Sequence, residues 1–195
     1  MHGLINRAIQ CFLSDIYGAE CWSHVAHTAG VEPGGFEAML TYEDALTDAV
    51  LDAAADRLGL PREMLLEDMG TYLVSNKDFE ALRRLLRFGG ENFLEFLFTI
   101  DDLPERARLA VPDLELPDIE LTEDAAEGFV IHVRGGWPGV EFVLQGMLRA
   151  MADDYGALAL LDVIDRRPGH AVLTVSLLDA EFHAGRSFSL AAGGA

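Results

Sequence analysis

The sequence predicts an α+β fold, with a helical lobe over residues 1–111 and a mixed lobe over 112–182 in which antiparallel strands carry one long helix. Three observations predict it. Up to Leu103 the apolar residues recur at the spacing of an α-helix. Beyond Pro112 and Pro117, which bracket an acidic connector, the period drops to two. One further helical stretch, Pro138 to Tyr155, then separates two pairs of strand patterns.

The elements follow in order. Ile5, Ala8, Ile9, Phe12 and Ile16 form one stripe of a helix from Gly3 to Tyr17, which Gly18 ends. A short helix covers Glu20 to Thr28 and closes at Gly30. Glu32-Pro33-Gly34-Gly35 breaks either period and reads as a loop. Helical spacing resumes over Tyr42–Leu58, and Pro61 suits the first position of a helix reaching Val74. Two more helices are predicted at Asp78–Phe88 and Glu91–Leu103, and Pro104 suits the start of a short one after Asp101-Asp102. In the second lobe Ile119, Leu121, Phe129, Ile131 and Val133 alternate with polar residues, as half-buried strands do. Phe142, Leu144, Met147, Leu148 and Met151 give the long helix its apolar stripe. Two strands, Leu158–Ile164 and Ala171–Leu177, flank an Arg167-Pro168-Gly169 turn, and residues 183–195 read as a tail, loose from Leu190 onward.

Composition narrows the function. A chain of 195 residues that is 50% hydrophobic buries a core without disulfides, and its two cysteines, Cys11 and Cys21, fit a reduced cytoplasm. No apolar run approaches the ~20 residues of a membrane-spanning helix, and no signal-peptide core opens the chain. Thirty-three acidic residues against 14 basic ones give a formal charge of −19, a surface that repels nucleic acid and anionic lipid. The stretch Asp101–Glu127 holds ten carboxylates against Arg106 and Arg108, so a basic partner would be sought there first.

Catalytic signatures are missing: no G-x-S-x-G, P-loop, G-x-G-x-x-G after a strand, H-E-x-x-H or C-x-x-C occurs. His24 and His27 stand three apart on a predicted helix, but no carboxylate or thiol joins them at helical spacing, and the pair reads as solvated. The expectation is a non-enzymatic protein without a metal site.

The opening Met1-His2-Gly3-Leu4-Ile5-Asn6-Arg7-Ala8-Ile9 resembles the start of the H-NOX family, the haem nitric oxide/oxygen binding domains. The similarity continues through Gly18, Trp22, Gly70, Tyr72, Phe93-Leu94-Glu95-Phe96, Leu103, Pro112, Pro117 and Pro138-Gly139, so residues 1–182 read as a single H-NOX-like domain. The resemblance implies the H-NOX fold and haem b as cofactor, held between the lobes. It also implies gas sensing that regulates a separate histidine kinase or cyclic-nucleotide enzyme.

The same resemblance supplies candidate site residues. The family pattern is an axial His, twelve residues, Pro, about fifteen residues, and a Tyr-x-Ser-x-Arg clamp for the haem propionates. Pro117 is in place, but Pro104 stands at the axial position and Val133, Gly135 and Trp137 stand at the clamp. No histidine occurs between His27 and His132 to replace the ligand. Proline offers iron no lone pair, and neither glycine nor an indole reproduces the paired charge-assisted bonds of a guanidinium. Ile5, Ile9 and Phe142 occupy the distal pocket positions. The reading is therefore an H-NOX-like sensor or adaptor with altered haem binding. Two alternatives stand beside it: haem on a non-standard ligand such as His2, Met69 or Tyr72, and a small-molecule carrier or hydrolase using the inter-lobe cavity.

Overall fold

The structure is a computed structural model that describes residues 1–32, 34–124 and 128–188. Pro33 of the predicted loop and the predicted loose end, Leu190–Ala195, lie outside the described residues. The chain forms two compact units that divide between Met69 and Gly70. That division falls inside a helix, whereas the switch from helical to strand pattern falls at Pro112, so packing and local period part the chain at different points.

The first unit is helical. Helix α1 (Gly3–Tyr17) starts where the His2 imidazole Nδ1 accepts the Leu4 N–H at 3.1 Å. Helix α2 (Ala19–Ala29) ends on left-handed Gly30, and α3 (Asp44–Leu58) ends in the same way on Gly59. Ile9, Phe12, Leu13, Val25, Val50 and Leu51 are among its buried apolar side chains. His24 and His27 are exposed on α2, and among the described residues no group of His, Cys, Asp or Glu is arranged to hold a metal.

Helix α4 (Arg62–Ser75) crosses the division between the units. In the second unit a 3-10 turn at Lys77–Phe79 leads into α5 (Glu80–Arg87). The single helix expected over Glu91–Leu103 is broken instead. Helix α6 (Phe93–Phe98) stops at Thr99, whose hydroxyl donates to the Gly89 and Phe96 carbonyls at 2.9 and 3.0 Å. A 3-10 turn at Ile100–Asp102 then re-aims the chain into α7 (Leu103–Ala110), with Pro104 in its first turn. A side chain that satisfies local carbonyls competes with helix continuation, and here it wins.

Strands β1 (Asp118–Asp124), β2 (Gly128–Arg134), β3 (Leu158–Arg167) and β4 (His170–Asp179) make one antiparallel sheet in the order β1-β2-β4-β3. Ile119 faces Val133 and Val133 faces Ala171, while Leu121, Ile131 and Leu173 form the next cross-strand row. These residues share one face, and that face joins the core with Leu144, Leu148 and Met151 of α8 (Val140–Tyr155). The predicted alternation on β1 and β2 and the predicted stripe on α8, Phe142 apart, are the two sides of this core.

Residues 183–188 are not free of the fold. The His183 and Arg186 N–H groups donate to the Gly156 and Asp154 carbonyls at 3.1 and 2.9 Å. Phe188 lies over the guanidiniums of Arg87 and Arg83 at 4.9 and 5.5 Å. Beneath this strap the Asp154 carboxylate, 1% exposed, accepts from Arg83 Nε at 2.9 Å and pairs with Arg87 Nε at 3.4 Å. Among the described residues no helix is long and apolar enough to cross a membrane.

Two outcomes follow from this corner. Asp154→Ala leaves the buried Arg83 without its main counter-charge and is expected to cost about 3–5 kcal/mol in urea unfolding. Burial raises the phenol pKa of Tyr155, whose hydroxyl donates to the Gly90 carbonyl at 2.8 Å. The folded state therefore holds this proton to higher pH than the unfolded chain does. The stabilisation is complete below the ordinary phenol value near ~10 and is lost as pH rises beyond it. Urea midpoints of the native protein are expected to fall more steeply from pH 9 to 11 than those of Tyr155→Phe.

Candidate functional site

Three of the expected site residues come together. Val133 at the end of β2, and Gly135 and Trp137 in the loop to α8, line one cleft of about 380 Å³ with the β3–β4 turn as its opposite wall. Gly135 and Gly136 both hold left-handed φ values of 73° and 74°, which only glycine adopts without strain, and so turn the chain from strand to helix. The Gly135 N–H donates to the Gly169 carbonyl at 2.9 Å and ties loop to turn. Pro117, buried, packs against Gly136: a Cβ at residue 136 would stand 3.2 Å from its ring. The other expected residues lie elsewhere. Pro104 is buried on α7, Phe142 is half-buried on α8, and Ile5 and Ile9 sit on α1 in the first unit, the latter 1% exposed.

The floor of the cleft is a cross-strand row. Val133 pairs with Ala171, and Ala171 pairs with Arg166. Strict alternation from Leu161, buried, and Val163, half-buried against the core, would send Asp165 inward and Arg166 to the open face. A register shift between Val163 and Asp165 inserts Ile164 as an extra residue, so Asp165 pairs with Val172 and Arg166 enters the inner row. Bulges re-aim side chains in this way.

Arg166 is then held on two sides. Its Nε donates to Glu141 Oε1 at 2.8 Å, and its guanidinium lies 4.6 Å over the Phe142 ring. Glu141, in the first turn of α8 and 7% exposed, also accepts the Gly139 N–H on Oε2 at 3.2 Å. The remaining polar lining is Arg167 and His170. Arg167 pairs with Asp165 and Arg134 with Glu120, the Arg134 hydrogen bond holding the Glu120 carboxyl below its ordinary range. Sequence reading missed Glu141, Arg166 and His170. Arg167-Pro168-Gly169 was legible as a turn, but the placing of Arg166 on the cleft side of the sheet depends on a bulge that leaves no periodic signal.

An acid-base pair in an aromatic-walled cleft, with no nucleophile paired to a base, is a binding geometry. The known proteins this chain matches fit a sensor module. The model of the Haem-NO-binding family matches residues 2–159, and the chain belongs to that family, the H-NOX domains. A soluble guanylate cyclase of Caenorhabditis elegans, gcy-31, is 25% identical over 94% of this chain, and soluble guanylate cyclase 89Da of Drosophila melanogaster is 23% identical over 82%. The chain spans about a quarter of each, 27% and 24% of their lengths. Among solved structures, an H-NOX protein from S. oneidensis in the Fe(II)NO state aligns at TM-score 0.75 and 15% identity over 92% of this chain and 100% of its own. An unliganded Fe(II) H-NOX protein from K. algicida aligns at 0.76 and 17%, over 92% and 97%. They show the same fold, an α+β domain whose family senses gas at haem.

The residues expected at the family's haem positions offer little to that group. Pro104 has no lone pair to give, Val133 is 2% exposed within the apolar core, Gly135 has no side chain, and Trp137 offers one neutral N–H where a guanidinium would give two charge-assisted ones. Phe142 is engaged beneath Arg166. The guanidinium near the clamp comes from another strand and is already bonded to Glu141.

The pair is testable by stability. Arg166→Gln leaves the buried Glu141 carboxylate short of its counter-charge and is expected to cost about 1–3 kcal/mol. Arg167→Gln, whose pair with Asp165 is exposed, should stay within about 0.5 kcal/mol of the native protein in the same urea titration.

Proposed function

We propose that this chain is a non-enzymatic H-NOX sensor or adaptor that regulates a separate signalling enzyme and does not hold haem in the family's manner. The observation that carries the reading is the donor set: Pro104, Val133, Gly135 and Trp137 supply neither an axial ligand nor a propionate clamp. Residues 1–182 act as one domain, with Ile5, Ile9, Pro117 and Phe142 as inherited pocket positions that now serve packing. The class of partner follows from the relatives, whose names are those of soluble guanylate cyclases. A cyclic-nucleotide enzyme or a histidine kinase is the protein it would act on, in the cytoplasm, with no nucleic acid or membrane involved.

The acidic stretch from Asp101 supports a protein partner over a nucleic acid, because a surface of this sign gains nothing from a phosphate backbone. What the domain contributes chemically is a two-state binding signal. A ligand that prefers one arrangement of the domain shifts its population and so the partner's activity.

An absorption spectrum after expression with haem precursor tests the reading. The native protein is expected to be colourless. A stoichiometric Soret band on it would overturn the proposal and turn attention to a substitute ligand such as His2, Met69 or Tyr72. Pro104→His, run beside it, is expected to gain at most a weak band, since the clamp is still missing.

A further inference from the structure

We infer that the cleft between the β2–α8 loop and the β3–β4 turn binds a free α-amino acid with an apolar side chain. This deepens the haem-independent reading by naming a ligand. It rests on that reading for its signalling consequence, whereas binding itself stands or falls alone.

Glu141 and Arg166 form an ion pair at 2.8 Å against the inner wall, with Glu141 7% exposed. The Arg166 side chain is 47% exposed, and an ion pair open to solvent on one side is a weak stabiliser because water screens it. This one is also fixed in place, by the Gly139 N–H on the acid side and the Phe142 ring on the base side. Such a pair presents both signs of charge, side by side, to anything that enters.

A simple carboxylate would meet Arg166, Arg167 and His170, but also the Glu141 carboxylate. A simple amine would meet the reverse. A zwitterion satisfies both: its ammonium faces Glu141, whose two oxygens accept more bonds than the two described, and its carboxylate faces the guanidinium. The rest of the lining selects the body of the molecule. Val133 and Ala171 form an apolar floor, Trp137 and Pro138 one wall and Pro168 part of the other. Glycines at 135, 136, 139 and 169 leave the space open, and about 380 Å³ lies at the small end of ligand pockets.

Trp137 reports on the cleft. The chain has two tryptophans, and Trp22→Phe leaves Trp137 as the sole indole. L-phenylalanine titrated into this variant is expected to give a saturable change in indole fluorescence with Kd at or below about 1 mM. 3-Phenylpropanoate, which lacks the ammonium, and 2-phenylethylamine, which lacks the carboxylate, should each bind at least tenfold more weakly. Glu141→Gln and Arg166→Gln should weaken phenylalanine by a similar factor. If either variant fails to fold, the three-ligand series on the intact cleft still decides.

No saturable response to phenylalanine, or equal binding of either single-charge analogue, overturns the inference. Haemin titrated into the same preparation separates the two readings. A Soret band there counts against the haem-independent proposal alone, and the phenylalanine result against the cleft alone.

Discussion

The second unit depends on one constraint: a four-stranded sheet with an apolar face must be covered, and α8 is the element that covers it. Ile131, Leu173, Val175 and Leu161 make the sheet's side of that contact, and Leu144, Leu148 and Met151 the helix's side. Because α8 follows β2 directly, the chain must reverse within the short Gly135–Gly139 segment to lay the helix back over the sheet. The consecutive left-handed glycines are the consequence, and the cleft is the space that this reversal leaves against the neighbouring turn.

The same constraint sets what the positions expected to meet haem do in this fold. Position 133 lies on the covered face of the sheet, and valine puts an apolar side chain there. Position 135 must turn, and glycine turns freely. Position 104 sits in the first turn of a short helix, where proline's missing N–H costs nothing. Each of these residues has a local structural role of its own. Architecture and site chemistry are therefore separable in such a domain.

Charge is organised rather than merely abundant. In a chain of formal charge −19 the arginines of the second unit are spent on particular carboxylates: Arg83 and Arg87 on Asp154, Arg166 on Glu141, Arg134 on Glu120. The first of these pairs anchors the C-terminal strap through Phe188 and Arg186. The second lies in the cleft. Acidic residues left over on the surface are available for recognition and solubility, while the buried ones act as fixed anchors.

The order and type of the elements were legible in the sequence because helix and strand periods are local properties. The stripe of α1, the alternation of β1 and β2, the span of α8 and the turn at Pro168-Gly169 all follow from spacing and from residues with restricted or permissive backbones. The family was legible too, from landmarks distributed along the chain. Three things were not. The break at Thr99 depends on a hydroxyl finding the Gly89 carbonyl ten residues back. The strap at 183–188 depends on carbonyls at the end of α8 that are distant in sequence. The inward turn of Arg166 depends on a bulge whose position is set by hydrogen bonds to β4, so that one extra residue, Ile164, exchanges the faces of everything after it. Local periodicity determined what each segment is. Only cross-strand pairing decided which side chain of β3 faces the cleft, because a bulge shifts parity without changing composition.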